Sequence, residues 1–415
     1  MKFQILNLFF LSSLLYSCAS DSVPGWDKPE EKTTSTSEEF IPKPINTIDN
    51  GYIGFRLNSF GSSHLNSDPK AITFELFSDD PEGLFGLASD FGVWFSTRVN
   101  GELKTSVTSF YGSEFLPGRD LSYTGSDSLV FKIDSKSDIN DRSFAEWPKE
   151  LGAPFNSVTG SPILFGDEMA WTIYNDLDST AHNKFGDKTS LNLAVRQTAW
   201  VDDFNENNPA LNRIVFHRFQ VENLSSTNYD TLRMGFWIDP DLGNSSNDKI
   251  AFDTQTDLAF AYDSLSTNVN EVQGLYHFLA FALLSDTESD TNLFAFPHAD
   301  IEELGNSPNA QNVENLLKGL TKDGEEIIHA KQGNATKFIF DGNVLTYSGW
   351  VDDETDKIAR MLCVVKPFSL GPGEMKEVVA MTTISVSTDY GVAFNFINTS
   401  LKEARKKGQF WKNYQ

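Results

Sequence analysis

From about residue 50 onward, apolar and polar residues alternate in short runs broken by turn residues, a period that only strands satisfy. Val93-Trp94-Phe95-Ser96-Thr97-Arg98-Val99 leads into Asn100-Gly101, and Glu102-Leu103-Lys104-Thr105-Ser106-Val107 follows. Asn-Gly between two such runs predicts a tight hairpin, because both turn residues must take positive φ. Leu191, Leu193 and Val195 alternate with Asn192 and Arg196, which predicts one dry face and one wet. Val215, His217, Phe219 and Val221 make one face of the next strand; Leu232, Met234, Phe236 and Ile238 make one face of the strand after it. Residues 358–370 and 374–386 flank Gly371-Pro372-Gly373 as another hairpin-like pair. Strands at this density predict an all-β body, a β-sandwich or supersandwich, rather than βαβ units.

Helix is confined to two short stretches. Val313, Leu316, Leu317 and Leu320 fall at three- and four-residue spacing within 310–320, and 399–407 ends in Lys402, Arg405, Lys406 and Lys407, well placed for a helix dipole. No fixed-period repeat is visible. A body spanning 50–415 is large for one pair of sheets, so one long supersandwich and two fused sandwiches divided near residue 300 both fit.

Composition narrows the partners. Hydrophobic residues make up 40% of the 415, enough for a core, and Phe dominates the aromatics with 34 against 11 Tyr and 8 Trp. The formal charge of −25, from 33 Lys and Arg against 58 Asp and Glu, argues against nucleic acid and against adhesion to anionic lipid through a basic face. Two cysteines can build neither a disulfide scaffold nor a four-cysteine zinc site.

The N-terminus reads as an address. Lys2 precedes a largely apolar run, Ile5 to Tyr16, of secretory-signal length and too short to span a bilayer. It ends Leu15-Tyr16-Ser17-Cys18, which resembles the lipobox of bacterial lipoproteins. That resemblance implies removal of 1–17, acylation of Cys18 and a stable membrane anchor. Ala19 follows in place of an Asp that would resemble an inner-membrane retention signal, so the expected location is the outer membrane. Residues 18–49 are rich in Pro, Ser, Thr, Glu and Lys and are expected to form a flexible spacer, holding the body about 30 Å from the bilayer.

Four phrases resemble secreted β-rich surface proteins of Bacteroidota-type Gram-negative bacteria. They are Val99 to Leu103 with Tyr111 to Gly118; Gly166 to Asp176 with His182; Gly235 to Gly243 with Asp248 and Asp253; and Lys366 to Gly373. The phrases are structural and imply no particular activity. The chain departs from that group in ending at Gln415 without a sorting domain and in carrying a lipobox, so anchoring by lipid is expected to replace anchoring by sorting.

The sharpest chemical pattern is Asp239-Pro240-Asp241-Leu242-Gly243, followed by Asp248 and Asp253. Alternating carboxylates in a turn can converge on a hard cation, so these four acids are the expected site of a structural Ca²⁺. The spacing is not that of an EF-hand, and the bland alternative is a strand-ending turn. Asp176, Asp178 and His182 form a weaker set of the same kind. His217, among apolar neighbours, is expected to be a core histidine, and Cys363 an inert buried thiol. Asp202-Asp203 and Asp352-Asp353 are expected to be solvated turns. Signatures of nucleophile elbows, zincins and phosphate loops are absent. Two functional classes follow: a non-catalytic module binding polysaccharide or a surface protein, and a carbohydrate-active hydrolase using a carboxylate pair across a cleft. The first is the preferred expectation. Trp94, Trp171, Trp200 and Trp237 would suit sugar stacking if exposed and lie in strands that could equally bury them.

Overall fold

Asn100 and Gly101 sit at φ 52° and 84°, the left-handed pair that an Asn-Gly turn needs. Around them Leu84–Val99 folds back on Glu102–Ser109, in register from Trp94 opposite Val107 to Val99 opposite Glu102. The computed structural model describes residues 46–407 apart from 64–72, 78–83, 110–111, 124–128, 183–187, 204, 243–246, 264–274, 285–291, 300–308 and 354–358. The expected signal peptide, Cys18 and the spacer as far as residue 45 lie outside the described residues.

In chain order the first strands are β1 (Asn46–Asp49), β2 (Ile53–Leu57), β3 (Phe74–Phe77), β4 (Leu84–Val99), β5 (Glu102–Ser109), β6 (Gly112–Ser113) and β7 (Leu116–Pro117). Then come β8 (Phe131–Asp134), β9 (Glu168–Asn175), β10 (Leu193–Val201), β11 (Ile214–Asn223), β12 (Tyr229–Pro240), β13 (Asp248–Asp253) and β14 (Leu258–Asp263). The last are β15 (Tyr276–Leu283), β16 (Ile327–Ile328), β17 (Ala335–Thr336), β18 (Met361–Val364), β19 (Phe368–Leu370) and β20 (Met375–Ser387). Among the described residues the α-helices are α1 (Arg142–Ala145), α2 (Ala310–Leu317) and α3 (Tyr390–Lys407). One nine-stranded antiparallel sheet runs β1-β2-β3-β4-β12-β18, with β5 and β6 beside β4 and β19 beside β12. A second runs β13-β14-β15-β20-β11-β10-β9-β7, with β8 on β9.

Strands from either side of residue 300 share both sheets. β18 and β19 pair with β12 in the first, and β20 lies between β11 and β15 in the second. Pro42–Gln415 is accordingly one compact unit, with no division near 300. Its start also lies inside the expected spacer: Asn46–Asp49 pairs with β2, and Ile48 is fully buried. Gly371-Pro372-Gly373 is not a hairpin turn either. β19 before it belongs to the first sheet and β20 after it to the second, so this turn carries the chain across the sandwich.

Between the sheets lies a core built largely of Phe. Phe55, Phe74, Phe91 and Phe236 from the first sheet meet Phe219 and Phe281 from the second, with Phe236 5.0 Å from each of the latter two. Phe has no polar atom to satisfy, so it fills a space closed on both sides where Tyr would need a partner for its hydroxyl. His217 sits among these rings, 5.0 Å from Phe91, with Nε2 2.9 Å from Thr382 Oγ1. Burial pushes its imidazole down to about 3, so it is neutral and a core residue.

Both outer faces are covered too. Trp94 and Trp237 stack on the outside of the first sheet, under Val313, Leu316 and Leu317 of α2. Trp171 and Trp200, outside the second, share a layer with Ala393, Ile397, Leu401 and Ala404 of α3. β10 shows the effect of this four-layered arrangement. Its expected wet face is dry, because Arg196 turns its Nε to Leu151 O at 2.6 Å under the 147–165 segment and pairs with Glu222 at 2.9 Å. A strand closed on both sides tolerates a charge only when that charge is paired.

The helices differ from expectation in extent. Asn309 and Asn312 cap α2 reciprocally, and Gly319, at φ 74°, ends it before Leu320. α3 begins nine residues before the expected start, at Tyr390, where Asp389 accepts from Val392 N at 2.9 Å. Among the described residues no helix is long and apolar enough to cross a membrane.

Candidate functional site

The four acids of the Asp239 segment do not come together. β12 carries Asp239 to a position opposite Asp90 on β4, just before a bulge at Pro240. Asp248 opens β13 and accepts from Leu242 N at 3.0 Å. Asp253 closes the same strand, about 16 Å further along by strand rise, where it accepts from Gln255 N and Thr256 Oγ1 as a turn cap. It is separate from the others. Gly243 of the expected loop lies outside the described residues.

The remaining acids share one largely buried, acid-rich region of the fold. Asp90, Asp239 and Asp248 are 0%, 4% and 3% exposed. Arg360 Nη1 lies 2.8 Å from Asp239 Oδ1, and Ser89 donates to Asp241 at 3.4 Å. Burial, with Asp90 and Asp241 adding repulsion that Arg360 only partly offsets, pushes the Asp239 carboxyl up to about 7. Burial likewise raises Asp241, and raises Asp248 well above the usual carboxylate range, with Asp241, Asp263 and Asp239 as like-charged neighbours. Protons and one guanidinium thus relieve the crowding. Among the described residues, no group of three or more His, Cys, Asp and Glu is placed to hold a metal ion. Nor can a sugar reach carboxyls this deeply covered, so Asp90, Asp239 and Asp248 do not form the two walls of a hydrolase cleft.

Asp176 and His182 do meet, with Glu114 as a third member that the sequence did not nominate. All three are fully buried. Asp176 accepts from Ser106 Oγ, Leu191 N and Leu193 N at 2.5, 2.7 and 2.5 Å, and His182 Nε2 lies 3.1 Å from Asp176 O. Glu114 accepts from Val107 N at 2.8 Å and stands 3.7 Å from His182 Nδ1. Asp178 faces out and caps Thr180. With no route for substrate to any of these atoms, the set ties loops to the sheet. Asp202 and Asp352 also differ from expectation: each is buried, Asp202 paired with Lys407 and Asp352 accepting from Ile250 N, while Asp203 and Asp353 are exposed. The four strand tryptophans are fully covered, and burial holds Cys363 as an un-ionised thiol.

An open site exists elsewhere. Tyr52, Glu206, Pro209, Asn212, Arg213 and Phe396 line a cleft of about 340 Å³, at the lower end of the range for small-ligand sites. Tyr52 comes from the turn between β1 and β2, Phe396 from the early part of α3, and the others from the 205–213 loop and the short 3₁₀ turn Leu211–Arg213. Asn212 fixes that turn: its Oδ1 accepts from Asn205 N at 2.9 Å, and its carbonyl accepts from Asn50 Nδ2 at 2.9 Å. Ser400 of α3 donates to Ala210 O at 3.0 Å, which holds the helix against the loop. The Arg213 guanidinium lies 5.0 Å from the centre of the Phe396 ring. No motif announces this cleft, because three distant segments build it and Phe396 precedes the expected helix start.

Neither a protein-family model nor a curated relative matches the chain. Among solved structures, a putative kojibiose phosphorylase from human microbiome is 10% identical and has a TM-score of 0.34. The match takes in 87% of this chain and 33% of that one, so the chain spans about a third of its length. A likeness of that size carries no argument about fold or activity.

Proposed function

We propose that the chain is a non-catalytic, lipid-anchored protein of the outer membrane, and that its sandwich body binds polysaccharide in the cleft between Tyr52 and Phe396. The observation that supports binding is the cleft's lining: two aromatic rings, a cation, an amide and a single carboxylate, Glu206. Flat rings suit the apolar faces of sugars and polar side chains suit their hydroxyls. One carboxylate does not make the acid and base pair that glycoside hydrolysis needs. The lipobox and spacer support the anchoring. A panel of neutral and acidic polysaccharides, scored for retention of the protein and for new reducing ends, tests the binding reading. Retention by at least one polymer without new reducing ends is expected; new reducing ends, or no retention, would reject it. In the same strain Cys18→Ser is expected to move the protein from the membrane to the soluble fraction.

Calcium is a separate proposal, confined to Asp241 and Asp248 now that Asp253 stands apart and Asp239 is paired with Arg360. An ion that binds only the folded chain raises its melting temperature by mass action. Melting of the full chain in Ca²⁺ and in EDTA decides: a higher temperature in Ca²⁺ is expected, and equal temperatures end the proposal.

A further inference from the structure

Arg213 shares with Arg233 and Arg405 the lack of an ion pair among the described residues, and differs from them in lining the open cleft. Six other arginines each have a carboxylate partner among the described residues: Arg98 with Glu314 at 2.5 Å, Arg119 and Arg196 with Glu222 at 2.6 and 2.9 Å, Arg142 with Glu146 at 2.9 Å, Arg218 with Glu377 at 2.6 Å, and Arg360 with Asp239 at 2.8 Å. In a chain with 58 acids against 33 bases such pairing is the expected state. Arg213 has no ion-pair partner among the described residues. Its guanidinium lies over the Phe396 ring, and burial lowers its pKa, with the Tyr52 phenol only partly offsetting it electrostatically. Glu206 lines the same cleft and forms no ion pair with it.

A half-buried guanidinium that lines a cleft without an ion pair of its own is a costly arrangement unless a ligand supplies one. Resting on the polysaccharide reading above, we propose that the cleft selects a saccharide bearing a carboxylate, a uronic-acid unit, and that Arg213 is the residue that binds the carboxylate. The planar fork of Arg matches a carboxylate with two parallel hydrogen bonds. One cation balances one negative charge. A phosphate or sulfate-rich ligand would bring more charge than Arg213 can neutralise, towards a cleft that already holds Glu206. The sugar ring would then lie against Tyr52 or Phe396, with its hydroxyls towards Glu206. The surrounding acids repel any anion at long range, so selection comes from contact and not from steering.

The test is equilibrium binding of the full chain to polygalacturonate, to its methyl ester and to a neutral glucan, with wild type and Arg213→Gln. Wild type is expected to bind the acid at least tenfold more tightly than the ester, and Arg213→Gln to remove that preference while its melting curve stays that of a folded protein. Should Arg213→Gln fail to fold, Arg213→Lys takes its place; retaining the charge without the fork, it is expected to reduce the preference several-fold. Equal binding of acid, ester and glucan would overturn the carboxylate assignment and leave the polysaccharide reading standing. An acid preference undiminished in Arg213→Gln would place the site elsewhere and overturn it as well. Binding to none of the three, nor to any polymer of the wider panel, would remove the polysaccharide reading itself.

Discussion

Replacing Arg360 by Met is expected to cost about 3–5 kcal/mol of folding stability at pH 8, the usual result of stranding one partner of a buried ion pair. The cost shrinks at pH 5. Asp239 takes up its proton near 7 in the fold against 3.8 when exposed, so it is neutral at pH 5 and has no charge to strand. The sign for the wild type follows from the same shift. A carboxyl whose folded value is raised contributes stability at low pH that is lost as pH rises through the folded value. Asp241 and Asp248 shift in the same direction. From pH 5 to pH 8 Asp239 alone should therefore remove about 2–3 kcal/mol. Urea unfolding of wild type and Asp239→Asn at both pH values isolates the share of Asp239 and its coupled acidic neighbours, because every group outside that cluster cancels in the difference. A wild-type-minus-variant difference that is the same at pH 5 and pH 8 would refute the protonation of Asp239.

Removal of the Asp176 carboxylate should be more damaging at neutral pH than any surface change. Asp176→Ala would leave the buried amides of Leu191 and Leu193 and the hydroxyl of Ser106 without their acceptor. At about 1–3 kcal/mol for each of the three stranded donors, the expected loss is about 3–9 kcal/mol. The damage should also be local before it is global. Tyr229 hangs its hydroxyl on the Leu191 carbonyl, and Leu193 opens the central strand β10. Hydrogen exchange should show the amides of 191–195 losing protection while those of α3 keep theirs. Uniform loss across the body, or a cost below about 1 kcal/mol, would show that this carboxylate holds nothing in particular.

Much of this fold could be read from residue order, for a physical reason. Side-chain alternation is a local property of a strand, so the faces of β11 and β12 and the Asn100-Gly101 hairpin were visible directly. Coverage of the outer faces is not local. Arg196 looked solvent-facing because the segment that buries it arrives from 147–165. Gly371-Pro372-Gly373 looked like a hairpin because a turn does not encode whether the next strand rejoins the same sheet. The candidate acids mislead similarly. Asp239, Asp241, Asp248 and Asp253 are close in sequence, yet a six-residue strand puts the last at the far end from the third. The cleft left no local signal, since Tyr52, Arg213 and Phe396 meet only after both sheets have formed. The late start assigned to α3 has a smaller cause: Gly391, Val392 and two Phe are poor helix formers, and the Asp389 cap and the buried sheet beneath outweigh them.

The position of β20 has a consequence for how the chain acquires its shape. Residues 375–387 come after every other described strand in chain order, yet they form the seam between β15 and β11. Until they arrive, the second sheet is two separate flaps, β13-β14-β15 and β11-β10-β9, each with an unzipped inner edge and no path of hydrogen bonds to the other. The pairing that completes the sheet spans separations of about 100 to 170 residues. A sheet joined through so distant a seam closes late in folding, at the cost of slow folding and of bare edges while it waits.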